Sequence, residues 1–186
     1  MDARVTIITG PIGSGKSTAC KYINEKGFST TDLDLVAKNI LESQSSLEFL
    51  KENFSECLVE NKIDKTLLAE VVFTDPDKLS NLESYLHPLV TLQVATLIQQ
   101  TTDHLFIEAS APKNIHKLYP TVVIFTEEPI RRKRLQSRGM SLTDIDNRIN
   151  TQPEESWWKS LGMVIENTSY TELYAQIEKL LDLSHE

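Results

Sequence analysis

One nine-residue stretch, residues 10–18, constrains this chain more than any other. It has the sequence GPIGSGKST and fits the pattern G-x-x-x-x-G-K-[ST]. An apolar run at residues 5–9 precedes it as a predicted strand, and residues 17–23 follow it with a helical pattern. Its glycines let the backbone turn tightly with successive N–H groups facing inward, while the new helix contributes the positive end of its dipole. The stretch therefore predicts a phosphate-binding loop between a strand and a helix.

The side chains of this loop favour a nucleotide with several phosphates. Lys16 would reach the β- and γ-phosphates, and the hydroxyl of Ser17 would hold Mg²⁺. The alternative is a Gly/Ser turn that matches the pattern by chance, but such a turn requires neither the Lys-Ser pair nor a strand before it. The predicted nucleotide contacts are made by Gly13, Ser14, Gly15, Lys16, Ser17 and Thr18.

The composition is ordinary for a globular protein and argues against several classes of function. Of the 186 residues 40% are apolar and 25% charged, and no apolar run approaches the roughly 20 residues of a membrane span. A net charge of −8 argues against a broad nucleic-acid surface, because such surfaces are usually basic. We therefore expect a small-molecule partner, no binding to nucleic acid or membrane, and a monomer or weak homo-oligomer.

The cysteines and the N-terminal residues favour a cytoplasmic protein. Cys20 and Cys57 have neither metal-ligand spacing nor the pattern of a disulfide framework. The first residues lead into a predicted strand and do not resemble a signal peptide.

Strand and helix patterns alternate along the chain. Strands are predicted at residues 5–9, 28–31, 105–108, 121–125 and 163–166. Helices are predicted at residues 17–23, 35–41, 46–54, 65–73, 76–86, 89–100, 129–138, 142–152 and 171–183, with His87-Pro88 interrupting the long helical block. This alternation predicts an α/β fold with a five-stranded parallel sheet between two helical layers, the three-layer sandwich of P-loop NTPases.

The element order also predicts how the single domain, residues 1–186, is divided. The nucleotide-binding core is expected to comprise residues 1–34, 104–130 and 160–186. The helical block at residues 35–103 is expected to be a substrate-binding insertion, and residues 131–159 are expected to form a lid.

Polar residues follow or end several predicted strands. In a parallel sheet the carboxyl ends of the strands share one edge, and ligands bind there. That edge is predicted to carry Gly10, Asp32, Asp34, Glu108, Thr126 and Asn167. Asp32 or Asp34 could accept a proton from an acceptor hydroxyl. The alternative for each is to cap the helix that begins there, since Asp is a frequent N-cap residue.

A basic segment follows the fourth predicted strand. Its arginines are Arg131, Arg132, Arg134 and Arg138. A mobile flap carrying some of them would stabilise charge on a transferring phosphoryl group and exclude water. Arg134 and Arg138, about one helical turn apart and followed by Gly139, are the predicted flap residues. A solvated helix face is the alternative, because runs of charge usually face water.

Residues 61–64 match the N-K-x-D guanine motif of GTPases. No buried strand is predicted before them, and no D-x-x-G occurs between them and the phosphate loop. We therefore expect no specificity for guanine.

Several stretches together resemble the dephospho-CoA kinase family, P-loop enzymes that phosphorylate the ribose 3′-hydroxyl of dephospho-CoA in the last step of coenzyme A synthesis. Residues 10–18 are similar to the family's G-G-I-G-S-G-K-S-T, with Pro11 in place of a glycine, and residues 32–34 stand where the family has D-A-D. Residues 63–89 contain segments similar to its L-D-R, I-V-F-x-D-P and L-H-P-L. Residues 138–152 contain segments similar to its lid, and residues 164–167 resemble V-I-D-N near the adenine site, with Glu in place of Asp.

The resemblance implies ATP-dependent phosphorylation of dephospho-CoA, with ATP and Mg²⁺ as ligands. It implies that Asp34 is the base and that Lys16 and Arg138 neutralise charge on the phosphoryl group. Nucleotide contacts by Arg148 and Asn167 are implied as well. The acceptor-side residues are then Asp32, Asp34, Lys38, His87 and Glu108, and Ser17 is the metal ligand. Glu108 could also contact the metal through water, whereas the position of His87 before a proline favours a structural role.

The chain departs from the family pattern after the third predicted strand. There the family usually has D-x-P-L-L-F-E, whereas residues 108–113 have the sequence EASAPK. Lys38 also stands where the family usually has Arg. Two alternatives therefore stay open: another P-loop nucleotide or nucleoside kinase, and a nucleotide-binding paralogue with impaired turnover.

Overall fold

The computed structural model describes residues 4–184. The chain divides into two compact units. One consists of the residues up to Asp32 together with those from Thr101 onward, and the other is Leu33–Gln100. Within residues 4–184, no helix combines the length and the hydropathy that crossing a membrane requires.

Seven strands and nine helices are assigned in the described residues. The strands are β1 (Arg4–Thr9), β2 (Ser29–Asp32), β3 (Leu58–Val59), β4 (Lys62–Ile63), β5 (His104–Glu108), β6 (Thr121–Phe125) and β7 (Met163–Glu166). The helices are α1 (Lys16–Glu25), α2 (Leu33–Glu42), α3 (Leu47–Asn53), α4 (Lys65–Thr74), α5 (Pro76–Gln100), α6 (Glu128–Ser137), α7 (Leu142–Asn150), α8 (Glu155–Ser160) and α9 (Tyr170–Ser184).

Five strands form one parallel sheet in the order β2-β5-β1-β6-β7. Glu108 at the end of β5 pairs with Asp32 on β2 and with Ile8 on β1, and Phe125 on β6 pairs with Glu166 on β7. The predicted five-stranded parallel sheet is therefore confirmed. Because all five strands run the same way, the residues that follow them lie at one edge.

Apolar side chains cover both faces of this sheet. On one face, Ile8 and Ile124 pack with Ile23 of α1 and Ile177 of α9, and all four are fully buried. Burying one such side chain contributes about 1.5–3 kcal/mol. On the other face, Trp158 of α8 packs against Val123 and Phe125. Helix α8 was not predicted from the sequence.

The helical unit, Leu33–Gln100, has a core of its own. Its buried residues are Leu50, Phe54, Cys57, Leu68, Val72 and Leu82. The unit also contains the antiparallel β3–β4 hairpin, which was not predicted. In its turn Glu60 and Asn61 have φ of 51° and 59°, and Asp64 caps α4 by accepting from the N–H groups of Thr66 and Leu67. Asn61 and Asp64 of the N-K-x-D match thus serve a turn and a helix cap.

The predicted helix break at His87-Pro88 is wrong. Helix α5 runs without interruption from Pro76 to Gln100 with Pro88 inside it. A proline removes a single N–H donor, and the remaining turns of so long a helix keep their own hydrogen bonds. The predicted start at Pro76 is confirmed, and Asp75 caps the helix by accepting from the N–H groups of Asp77 and Lys78.

Candidate active site

The phosphate loop follows β1 and leads directly into α1. Gly10, Gly13 and Gly15 all have positive φ, at 142°, 77° and 103°. A Cβ on Gly10 would lie 2.1 Å from the backbone oxygen of Ile124, and one on Gly15 would lie 2.2 Å from Nδ2 of Asn167. The first and third of these positions therefore require glycine for close packing as well as for backbone conformation.

Lys16 folds back over the loop that precedes it. Its Nζ donates to the carbonyl of Gly10 at 3.0 Å and to that of Pro11 at 3.4 Å, and only 8% of the residue is exposed. The ammonium group is therefore held against the loop, with a charge that can attract phosphate oxygens.

The carbonyl of Ser14 accepts hydrogen bonds from three side chains. The donors are Nδ2 of Asn167 at 2.6 Å, Oγ1 of Thr126 at 3.1 Å and Nη1 of Arg134 at 3.3 Å. The C=O and N–H of a trans peptide point in opposite directions, so the N–H of Gly15 is turned away from these donors. Buried side chains thus fix the orientation of a backbone amide in the phosphate loop.

Two arginines of α6 lie behind the loop. Arg131 donates through Nε to the carbonyl of Thr126 and through Nη1 to that of Ile12, at 3.0 and 3.2 Å. Arg134 also donates to the carbonyl of Asn167 at 3.0 Å. Burial lowers the pKa of both guanidinium groups, and the carbonyl acceptors offset part of the cost of burying their charge.

Arg134, which was predicted to lie on a mobile flap, is hydrogen-bonded to the phosphate loop and to Asn167 in this structure, and its mobility stays a prediction. Its hydrogen bonds connect α6 to the loop. The sequence periodicity did not predict them, because it does not show which face of α6 lies against the loop. The spacing of Arg131 and Arg134 was the available signal, since residues three apart share a helix face.

Ser17 and Glu108 bring two oxygen groups together beside the loop. The Ser17 hydroxyl donates to Oε1 of Glu108 at 2.8 Å, and Glu108 is only 6% exposed. Cys20 lies nearby on α1, where burial, followed by the charge of Glu108, raises the pKa of its thiol. The thiol therefore stays protonated and is a poor metal ligand. The Ser17 hydroxyl and the Glu108 carboxylate, in contrast, are hard oxygen ligands.

The remaining predicted residues of this unit occupy less enclosed positions. Asp32 ends β2 and is half-buried. Arg138 and Arg148 are exposed, at the end of α6 and in the last turn of α7. In the part of the chain that the structure describes, no hydrogen bond joins either arginine side chain to the phosphate loop.

The helical unit carries the other predicted residues. Asp34 is exposed in the first turn of α2, and Lys38, four residues later, lies on the same helix face. Lys38 also borders a largely apolar cavity of about 210 Å³, lined in part by Leu41 and Val72. His87 is exposed on α5.

Comparison with known proteins covers almost the whole chain. The family model of dephospho-CoA kinase matches residues 4–172. A dephospho-CoA kinase from Fusobacterium nucleatum is 29% identical over 194 residues, covering 98% of this chain and 99% of that protein. Another from Thermus thermophilus is 35% identical over 174 residues, covering 89% of this chain and 83% of that protein.

Solved structures agree on the fold. A crystal structure from Thermus thermophilus matches with a TM-score of 0.90 and 30% identity over 98% of both chains. Dephospho-CoA kinase from Campylobacter jejuni matches with a TM-score of 0.74 and 24% identity over 97% of both chains. A shikimate kinase from Acinetobacter baumannii, 12% identical, shares the fold with a TM-score of 0.56 over 97% of this chain and 92% of that one. Because the family model spans nearly all the described residues around a complete phosphate loop, this chain belongs to the dephospho-CoA kinase family.

Proposed function

We propose that this protein transfers the γ-phosphoryl group of ATP to the ribose 3′-hydroxyl of dephospho-CoA, giving coenzyme A and ADP. Membership of the dephospho-CoA kinase family makes it a kinase that phosphorylates a hydroxyl group. The observation that carries the proposal is the phosphate loop, in which Lys16 and oriented backbone amides accompany the Ser17–Glu108 pair.

In the proposed reaction the protein mainly positions and neutralises the reacting groups. The amides of residues 13–18 and the Lys16 ammonium hold the phosphates of ATP. The 3′-hydroxyl oxygen forms a bond to the γ-phosphorus while the bond to the ADP oxygen breaks, and Asp34 receives the hydroxyl proton. Lys16 and Arg138 stabilise the negative charge that spreads over the transferring group.

Mg²⁺ is the proposed metal, and the donors present fit it. The Ser17 hydroxyl would bind the metal directly, and Glu108, whose Oε1 lies 2.8 Å from that hydroxyl, would contact the metal through water. Mg²⁺ commonly takes one or two protein oxygens and completes its shell with phosphates and water. Among the described residues, no group of three or more His, Cys, Asp or Glu side chains could hold a metal alone. When bound, Mg²⁺ would neutralise phosphate charge.

The other assignments concern binding rather than bond making. Arg148 and Asn167 are proposed to contact ATP. Asp32, Lys38, His87 and Glu108 are proposed to contact the acceptor. The helical residues 35–103 are proposed to bind the acceptor, and residues 131–159 to form the lid. A cytoplasmic location and a monomeric or weakly associating state stay predictions.

Replacing the proposed base tests the reaction directly. Asp34→Asn removes the proton acceptor while keeping the side-chain size, so kcat is expected to fall by about 100-fold or more. Asp77→Asn is the matched control, because Asp77 is also an exposed acid in the first turn of a helix of the same unit. Steady-state rates of coenzyme A formation are compared for the two variants. Turnover of Asp34→Asn within about threefold of wild type would remove Asp34 as the base.

A panel of acceptors tests the substrate. ADP release is measured with dephospho-CoA, nucleosides and nucleoside monophosphates, and dephospho-CoA is expected to give the highest kcat/KM. A preference for a nucleoside or a monophosphate would favour a nucleotide or nucleoside kinase instead. ATP binding without product from any acceptor would favour a paralogue with impaired turnover. This alternative is considered because residues 108–113 depart from the family pattern.

A further inference from the structure

Ile12 of the phosphate loop is held from two directions. Its N–H donates to Oε1 of Gln152 at 2.9 Å, and its carbonyl accepts from Nη1 of Arg131 at 3.2 Å. Arg131 belongs to α6, and Gln152 lies two residues beyond the end of α7. Two segments far apart in sequence from the loop therefore meet on one of its residues.

The two bonds act on two different peptide planes. The N–H and C=O of a trans peptide point in opposite directions. The bond to Gln152 therefore turns the Pro11 carbonyl the other way, where Nζ of Lys16 lies 3.4 Å from it. In the same way the bond from Arg131 turns the N–H of Gly13 away from α6. Gln152 thus acts on the carbonyl that helps to hold Lys16, and Arg131 acts on an amide of the loop.

The hydrogen bond to Gln152 uses the N–H of Ile12 and none of the amides that are proposed to bind phosphate. The amides proposed to hold the phosphates belong to residues 13–18, and Ile12 precedes them. A nucleotide would therefore not compete with Gln152 for the same donor. The Ile12–Gln152 bond can support the shape of the loop both before and after ATP binds.

Gln152 also connects the loop to the helix that carries Arg148. A salt bridge of 2.6 Å between Arg132 and Asp146 joins α7 to α6, and α6 is tied to the loop by Arg131. Gln152 adds a second connection at the other end of α7. A shift of α7 would therefore be transmitted to the phosphate loop through these contacts.

We propose that Gln152 is a positioning residue for nucleotide binding: it holds the Ile12 peptide so that the loop and Lys16 are arranged before ATP arrives. This inference rests on the proposed ATP site. Preorganisation of this kind raises affinity because less conformational entropy is lost on binding. Removing a single such hydrogen bond changes an equilibrium by about three- to tenfold.

Gln152→Met tests the proposal, because methionine keeps the length of the side chain but has a methyl group at its end in place of the amide. Its sulfur, one atom nearer the backbone, is only a weak acceptor. ATP affinity is measured by titration without acceptor, and exchange of the Ile12 amide is followed by NMR. ATP affinity is expected to fall by about three- to tenfold, with faster exchange at Ile12. The KM for dephospho-CoA is expected to stay unchanged, and the thermal midpoint is expected to fall by only about 2–4 °C, the contribution of one hydrogen bond to folding. Lys179→Met, at an exposed side chain of α9 outside the proposed lid, is the control and should leave all four quantities unchanged.

Gln152→Glu separates the hydrogen bond from the rest of the side chain. Its carboxylate can still accept from the Ile12 N–H, so slow exchange of that amide is expected to return. Rescue is judged on exchange alone, because the added negative charge also opposes the phosphates.

Two results would overturn the inference. One is wild-type ATP affinity in Gln152→Met. The other is an equal loss of affinity for ATP and for dephospho-CoA, which is the behaviour of a merely structural residue. Absence of product from dephospho-CoA alongside the expected change in ATP affinity would refute the proposed acceptor and leave the role of Gln152 standing.

Discussion

Gly15 shows how a single residue serves both conformation and contact in the phosphate loop. Its φ is 103°, and an added Cβ would lie 2.2 Å from Nδ2 of Asn167. That nitrogen donates to the Ser14 carbonyl at 2.6 Å. A methyl group here would therefore strain the backbone and displace one of the three donors that orient the loop.

Gly27 offers a matched comparison, with φ of 95° and no atom within 4 Å of an added Cβ. Gly27→Ala is expected to lose about 1–2 kcal/mol of unfolding free energy from the left-handed backbone, measured by urea denaturation. Gly15→Ala is expected to lose more, because its Cβ also overlaps Asn167. Gly15→Ala alone is expected to weaken ATP binding, by about tenfold or more, because it also displaces Asn167. Equal ATP affinities in the two variants would contradict the role given to this contact.

Residue types with a fixed chemical use were predictable from the sequence, and side-chain directions were not. The loop glycines, Lys16 and Ser17 follow a pattern whose spacing is set by the phosphate itself. The hydrogen bonds of Arg134 to the phosphate loop and to Asn167 were not predicted, because a run of arginines does not show which face of the helix meets the loop. The contact of Gln152 with Ile12 joins residues with no shared sequence pattern, so only the folded chain reveals it.

At the scale of elements, β5 carries a buried histidine inside the sheet. His104 lies within hydrogen-bond distance of the Thr6 hydroxyl, 2.8 Å from Nε2, and stacks on Phe106 with ring centroids 4.3 Å apart. Burial lowers its pKa from the ordinary 6.5, while Asp103 opposes and Arg4 adds to the shift. The folded protein therefore binds fewer protons here than the unfolded chain.

Stability is consequently expected to fall as pH drops below about 6.5, since the unfolded chain gains a proton that folded His104 resists. The contribution of His104 to the unfolding free energy is fully present above that pH and is lost as pH falls toward the lower pKa of the folded state. The unfolding free energy changes by at most about 1.4 kcal/mol per pH unit from this group. Comparing urea unfolding of wild type and His104→Gln from pH 8 to pH 5 measures it. The other three of the four histidines are present in both proteins. Parallel stability curves throughout that range would contradict the prediction.

Elements with a strong periodic pattern were predicted closely, as for β6, β7 and the start of α7. The β3–β4 hairpin was missed because its strands have two residues each and its turn uses Glu60 and Asn61 rather than glycine. Helix α8 was missed because it has only six residues, too few to show a helical period. The helix break predicted at Pro88 was wrong because α5 is long enough to continue past a single proline.

For the whole molecule, ATP binding should stabilise the α/β unit in a way that its own fluorescence reports. Both tryptophans of the chain, Trp157 and Trp158, lie on α8 of this unit. At ATP concentrations about 100-fold above Kd, the tryptophan-monitored unfolding free energy is expected to rise by about 2.7 kcal/mol.

Lys16→Met should abolish most of this gain, because it removes the charge held against the loop. Lys21→Met, at an exposed lysine of the same helix, should keep it. Urea titrations with and without ATP give the comparison. A full gain in Lys16→Met would show that ATP binds elsewhere.

Strands β2 and β5 are direct neighbours in the sheet, although the whole helical unit separates them in sequence. The segment Leu33–Gln100 thus takes the place of a crossover between two parallel strands. A longer, shorter or different segment in this position would keep the register of β2 with β5, provided that its ends still connected these two strands. A change confined to Leu33–Gln100 would then leave the phosphate loop and the five-stranded sheet of the other unit in place.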